Sequence, residues 1–193
     1  LYWKYESWVK MQESRLGSCM GAAGEIFAIR RNLFIQVPTD TILDDFTISL
    51  KIAIQGYKIE YVPEAYAIEQ ASASVNEEMK RKIRIAAGSF QSVCRLPFLL
   101  NVFKYPVLSW QFISHKVFRW IVIPFSLVLI IPINIVLAIG PNHSALYQIL
   151  ALLHLVFYLV VLVGYLLRKQ KNQWGFLFIP YYFFIANKAM WLG

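Results

Sequence analysis

Polar and apolar positions interleave on helical or strand periods through the first 97 residues, then give way to three long apolar runs. Residues 120–139 and 145–167 contain no Asp, Glu, Lys or Arg. At 1.5 Å per residue each run covers a hydrocarbon core of roughly 30 Å. Residues 174–193 form a third run with one charge, Lys188. The pattern predicts three transmembrane helices, at about 120–139, 145–167 and 174–193, tied to a charged portion ahead of them.

The first portion reads as alternating elements. Residues 1–15 place Trp3, Tyr5, Trp8 and Met11 on a helix with one buried face, ending at Gly17. Residues 17–24 are rich in small side chains and predict a loop or a strand with a close backbone approach. Residues 26–29 predict a short strand and 30–34 a turn or short helix. In residues 44–55, Phe46, Leu50, Ala53, Ile54 and Tyr57 keep a helical spacing, with Gly56 as the stop. Residues 58–62 alternate as a strand up to Pro63, and 77–94 form a second helix. Strand and helix in alternation predict an α/β layer with too few strands for a complete sheet. Residues 98–119 predict an interfacial amphipathic segment. Val107, Trp110, Ile113, Val117 and Trp120 share one helical face, as expected of an anchor at headgroup depth.

Charge refines this picture. The net charge of +8 comes from 19 Lys and Arg against 11 Asp and Glu. Many of the basic residues sit in 80–84, 104–119 and 168–171, beside the apolar runs. That is where anionic headgroups select them, which points to a bilayer rather than nucleic acid as the partner. Lys104, Lys116 and Arg119 precede the first run, and Arg168, Lys169 and Lys171 lie between the second and third. The 140–144 link is uncharged. Both basic sides then fall on the cytoplasmic face, with residues 1–97 in the cytoplasm. Cys19 and Cys94 make no metal spacing and no disulfide framework. His115, His143 and His154 cluster with nothing. The chain opens without Met and in mid-pattern, as expected of a piece truncated at both ends.

Two sets of residues are candidates for chemistry. Asp44 and Asp45 stand at a helix start. One reading is helix-end electrostatics, a stabilisation of a few tenths to about 1 kcal/mol. The other is a general base, kept ionised by the helix dipole and able to take a proton from an attacking hydroxyl. In the 77–94 helix, Arg81, Arg84, Gly88 and Gln91 fall within one quadrant at 100° per residue. Ile83, Ala86, Ala87, Phe90 and Cys94 take the opposite face. Two arginines beside a small residue fit a diphosphate clamp. They fit equally a basic face turned to solvent or lipid.

In order, these segments resemble the processive, membrane-embedded glycosyltransferases of family 2: cellulose, chitin and hyaluronan synthases and bacterial exopolysaccharide relatives. Tyr2-Trp3-Lys4-Tyr5-Glu6 looks like the aromatic segment after the metal-binding aspartates. Gly21-Ala22-Ala23-Gly24 with Phe27-Ala28-Ile29-Arg30-Arg31 resembles the acceptor-site strand and its Arg pair. Leu43-Asp44-Asp45 stands where the family has Thr-Glu-Asp, and Arg81-Lys82-Ile83-Arg84-Ile85 where the polymer synthases have Gln-x-x-Arg-Trp. Arg81 in place of Gln and Ile85 in place of Trp depart from that pattern. The departures favour transfer of one or a few sugars over long-chain processivity.

The resemblance implies residues 1–97 as the C-terminal part of a cytoplasmic GT-A-type α/β domain. It implies inverting transfer of a sugar from a nucleotide-sugar to a glycan or lipid-linked acceptor, in polysaccharide or exopolysaccharide synthesis at the plasma (inner) membrane. Asp45 would be the base with Asp44 beside it. Arg84, with Arg81 and Lys82, would hold the donor diphosphate, and Ala23 and Gly24 would line the acceptor site. A divalent metal, Mg or Mn, is expected on ligands outside these 193 residues. Two rivals stand beside this reading: transfer of one sugar to a lipid phosphate, and a non-catalytic membrane scaffold or degenerate paralogue in a secretion complex.

Overall fold

The computed structural model describes residues 2–22, 24–68, 75–140, 144–167 and 175–193. Among them are six helices: α1 Tyr2–Leu16, α2 Asp44–Ala53, α3 Val75–Arg95, α4 Pro106–Ile139, α5 Ala145–Leu167 and α6 Gly175–Leu192. Short 3-10 turns occupy Arg31–Leu33 and Pro97–Leu100. The chain divides into two compact units, Leu1–Trp120 with Gly193, and Ile121–Leu192.

No strand forms among the described residues, so the predicted α/β layer is absent from this all-helical architecture. The reason is visible at the 58–62 segment. Apart from a local turn bond from Ala65 N–H to the Val62 carbonyl at 3.2 Å, its backbone is pinned by one main-chain bond, Cys19 N–H to the Ile59 carbonyl at 2.8 Å. Its other pins come from hydroxyls: Ile59 N–H donates to Ser18 Oγ (2.9 Å) and Tyr61 N–H to Ser14 Oγ (3.2 Å). One backbone bond is not a ladder. The 26–29 segment likewise stays irregular, and Ile26 and Phe27 are exposed.

The core of the first unit is Met20, Phe46, Leu50, Leu96, Leu99 and Phe112, flanked by Leu43, Ile59, Val93, Val117 and Trp120 among others. It therefore sits where α2, the end of α3 and the start of α4 meet the turn after α1. Gly56, with φ of +92°, ends α2 as the spacing predicts. The two faces of α3 divide differently from expectation. Ser89 and Ser92 are buried and bond back to the Ile85 and Gly88 carbonyls, Gly88 is buried, and Cys94 is exposed. The Gly88 side is packed because the loop ahead of α2 lies on it.

The predicted interfacial segment and first span are not separate elements. From Pro106 to Ile139 the chain is one 34-residue helix. Its middle, Ile113–Val122, winds as a π-helix, far longer than the usual single-turn bulge. The π winding ends just ahead of Pro124, which has no N–H to give the helix. The shared apolar face also splits. Trp110 is exposed, as an anchor would be, whereas Trp120 packs edge-on against Phe46 at 5.4 Å between ring centroids.

In the second unit, α5 packs on α6 and on the Ile123–Ile139 stretch of α4. Among the described residues two helices, α4 and α5, are long and apolar enough to cross a membrane, and α6, expected as a third span, is not one of them. Asn134 is buried and shares a 2.7 Å hydrogen bond with His154, so His154 is not solitary as the sequence predicts. Polar pairs of this kind hold apolar helices in register.

Candidate active site

The turn after α1 and the first turn of α2 lie against each other along their length. Gly21 has φ of +85°, and a Cβ there would stand 2.2 Å from a Phe46 ring carbon. Only glycine satisfies both demands. Ala22 N–H donates to Ser49 Oγ at 2.9 Å, and that hydroxyl donates to the Phe46 carbonyl at 3.0 Å. A Cβ on Gly24 would stand 3.1 Å from Asp45 Oδ2. The small-residue segment thus runs beside Phe46, Ser49 and Asp45, three residues of one helix. Ala23 lies outside the described residues.

Asp44 and Asp45 open α2, whose N-cap, Leu43, offers no side-chain bond. Asp44 is exposed and Asp45 half-buried. Burial pushes the Asp45 carboxyl above the ordinary value, aided by the charges of Asp44 and Glu25. The amides of Phe46 and Asp45 pull the other way and lose. At this helix start, desolvation outweighs the hydrogen bonds from the backbone amides.

The loop leading to these aspartates is clamped by α3. Gln91 accepts the Ile42 N–H and donates to the Asp40 carbonyl, both at 2.9 Å. Arg95 reaches Thr41 Oγ1 at 2.8 Å and Asp40 Oδ2 at 2.6 Å, which holds the Asp40 carboxyl below its usual range. Gly88 makes room: a Cβ there would meet Leu43 Cγ at 2.7 Å and Ile42 Cγ2 at 2.9 Å. Half of the predicted stripe, Gly88 and Gln91, is therefore committed to holding the loop that leads into Asp44 and Asp45.

The other half divides again. Arg81 and Lys82 both pair with Glu78, at 3.2 and 3.4 Å. Arg84 is exposed and has no ion-pair or hydrogen-bond partner among the described residues. It precedes Gly88 by one turn, about 6 Å along the axis, on the face that meets the aspartate loop.

Several supporting residues escaped the sequence reading. Glu13 is buried at 4% exposure. Its carboxylate accepts the Met20 N–H at 2.9 Å, faces Cys19 Sγ at 3.6 Å, and pairs with His115 Nδ1. Burial, then the Glu13 charge, pushes the Cys19 thiol up to about 11. Lys116 stands over the Phe46 ring, 5.5 Å from its centroid. The one available signal was spacing: Gln111, His115 and Arg119 recur every four residues and grip α1 at the Glu13 carbonyl, the Glu13 carboxylate and Glu6.

A half-buried carboxylate beside a small-residue turn, on a rigidly held helix start, can accept a proton from a hydroxyl bound over that turn. Residues 4–184 match the family model of glycosyl transferase family group 2. No curated protein and no solved structure matches the chain.

Proposed function

Because the chain belongs to glycosyl transferase family group 2, and that membership implies sugar transfer, we propose a specific role for it. It takes part in moving a sugar from a nucleotide-sugar to a glycan or lipid-linked acceptor at the cytoplasmic face of a membrane, with inversion. The observation that carries this reading is the apposition of Gly24 and Asp45.

In the proposed reaction an acceptor hydroxyl oxygen attacks the anomeric carbon. The bond from that carbon to the donor diphosphate breaks, and the diphosphate leaves with the electron pair. Asp45 takes the hydroxyl proton. Its raised proton affinity supports the role, since a general base works best when its pKa approaches the operating pH. Asp44 contributes negative charge from the adjacent position. Arg84 meets the leaving diphosphate, where a guanidinium fork suits phosphate oxygens. Arg81 and Lys82 would join it only by releasing Glu78.

Among the described residues no three His, Cys, Asp or Glu side chains converge on a metal position. A divalent metal, Mg or Mn, finds no ligand set among these residues. A bilayer belongs to the same proposal. The length and composition of α4 and α5 support membrane crossing.

The test is donor consumption. Membranes containing the protein are given UDP-, GDP- and dTDP-hexoses in turn, and nucleoside diphosphate release is followed. One donor should be consumed well above control membranes. Background release from every donor would contradict the proposal.

A further inference from the structure

We propose that Glu13 is a positioning residue for the acceptor side. Its carboxylate fixes the turn at Cys19–Met20, and thereby Gly21 and Gly24, against Phe46 and Asp45, while His115 holds the carboxylate from α4. This rests on the reading of Asp45 as the base.

The contacts form a continuous path. Glu13 Oε2 accepts the Met20 N–H at 2.9 Å and Oε1 meets His115 Nδ1. Gly21 N–H bonds to the Cys19 carbonyl at 3.0 Å and tightens the turn. Gly21 is then pressed on Phe46, Ala22 is bonded to Ser49, and Gly24 lies on Asp45. Gly21 has no room to move toward Phe46, where even a Cβ would stand 2.2 Å from a ring carbon, and Gly24 stands close to the Asp45 carboxylate. A shift at Met20 is therefore passed to Phe46 and Ser49, on the helix that Asp45 opens.

Burying a carboxylate is costly unless its lone pairs are used. Here they face the acceptor-side turn on one side and α4 on the other. Glu13 is also tied through its own carbonyl, which accepts from Gln111 Nε2 at 3.3 Å, and one end of α1 is held by the Glu6–Arg119 pair at 2.6 Å. His115 and Arg119 both lie in the π-wound stretch.

The experiment uses the intact protein in membranes, with Cys94 replaced by Ser so that Cys19 is the thiol followed. Three readouts are compared per mole of folded protein: sugar incorporation from the donor identified above, affinity for its nucleoside diphosphate (UDP, GDP or dTDP), and Cys19 alkylation. In Glu13→Ala the turn loosens. Incorporation should fall and Cys19 alkylation should rise, each roughly tenfold, the scale of a lost charge-assisted contact, with diphosphate affinity unchanged. Glu13→Gln keeps an acceptor for Met20 N–H but removes the charge that helps raise the Cys19 thiol, so its alkylation gives the electrostatic share and the further rise in Glu13→Ala reports the loosened turn. Incorporation and affinity falling together, or neither changing, would overturn the proposal.

If Glu13→Ala does not fold, His115→Leu decides, since it removes only the α4 side of the contact. Reduced incorporation with a more reactive Cys19 supports the proposal, and wild-type values for both overturn it. Cys19 alkylation needs no turnover. A loosened turn together with an active Asp45→Asn would therefore refute the base, while an unmoved turn with an inactive Asp45→Asn would refute Glu13 alone.

Discussion

Gly24 lies against Asp45, close enough that a Cβ on the glycine would stand 3.1 Å from the carboxylate oxygen Oδ2. The smallest residue of the turn thus faces the one half-buried carboxylate of the helix start. Gly24→Ala should displace that carboxylate by a few tenths of an ångström and reduce sugar transfer by about tenfold, given the sensitivity of proton transfer to small misplacements. Thermal stability should change little, because Gly24 is exposed. Comparing initial rates and melting temperatures of the two proteins in detergent checks this. Undiminished transfer in Gly24→Ala would separate the turn from the chemistry.

The loop ahead of Asp44 depends on a second close approach. In Gly88→Ala the new methyl would collide with Leu43 and Ile42 at 2.7 and 2.9 Å. Both are branched side chains held between α3 and the core, so overpacking should cost about 1–3 kcal/mol. Unlike Gly24→Ala, this variant should lose both melting temperature and transfer, a difference that thermal unfolding followed by circular dichroism would reveal.

Much of this was legible in the sequence, and the failures have physical causes. Helices α1, α2, α3, α5 and α6 follow from periodicity, glycine stops and apolar runs, because those signals are local. The two expected strands did not form, because a strand needs a ladder partner and the described residues supply one backbone bond at Ile59. Asp45 and Gly24 were legible as candidates from their place in an ordered set of motifs. Their contact was not, being set by the packing of a turn on a helix. The stripe on α3 was read as one surface, yet Gln91 and Gly88 hold the aspartate loop while Arg81 holds Glu78. Glu13 and His115, 102 residues apart, carry no local signature at all.

Arg84 should contribute to diphosphate binding. Arg84→Ala should weaken nucleoside diphosphate affinity by roughly ten- to a hundredfold, the range of a charge-assisted contact of about 1.5–3 kcal/mol. Arg84→Lys should restore only part, since Lys lacks the bidentate fork. Isothermal titration measures both. Full rescue by Lys, or unchanged affinity in Arg84→Ala, would leave Arg84 as a surface charge.

The proposed topology places the link after α4 outside the cell. In a background with Cys19 and Cys94 replaced by Ser, Asn142→Cys should react with a membrane-impermeant thiol reagent applied to intact cells, and Lys169→Cys should not. The reverse labelling would move the aspartates away from the cytoplasm.

Asp45 carries the central claim. Burial raises its proton affinity in the folded state, so ionising it costs stability as pH rises through and above the carboxylate range. Asp45→Asn should therefore melt at or above the wild-type temperature at neutral pH, with that advantage vanishing below the unfolded carboxylate range, near pH 4. The most direct measurement is sugar transfer by Asp45→Asn in membranes, alongside its affinity for nucleoside diphosphate. Transfer should be abolished, with affinity retained and the fold at least as stable. Near-normal turnover in that variant would contradict the claim.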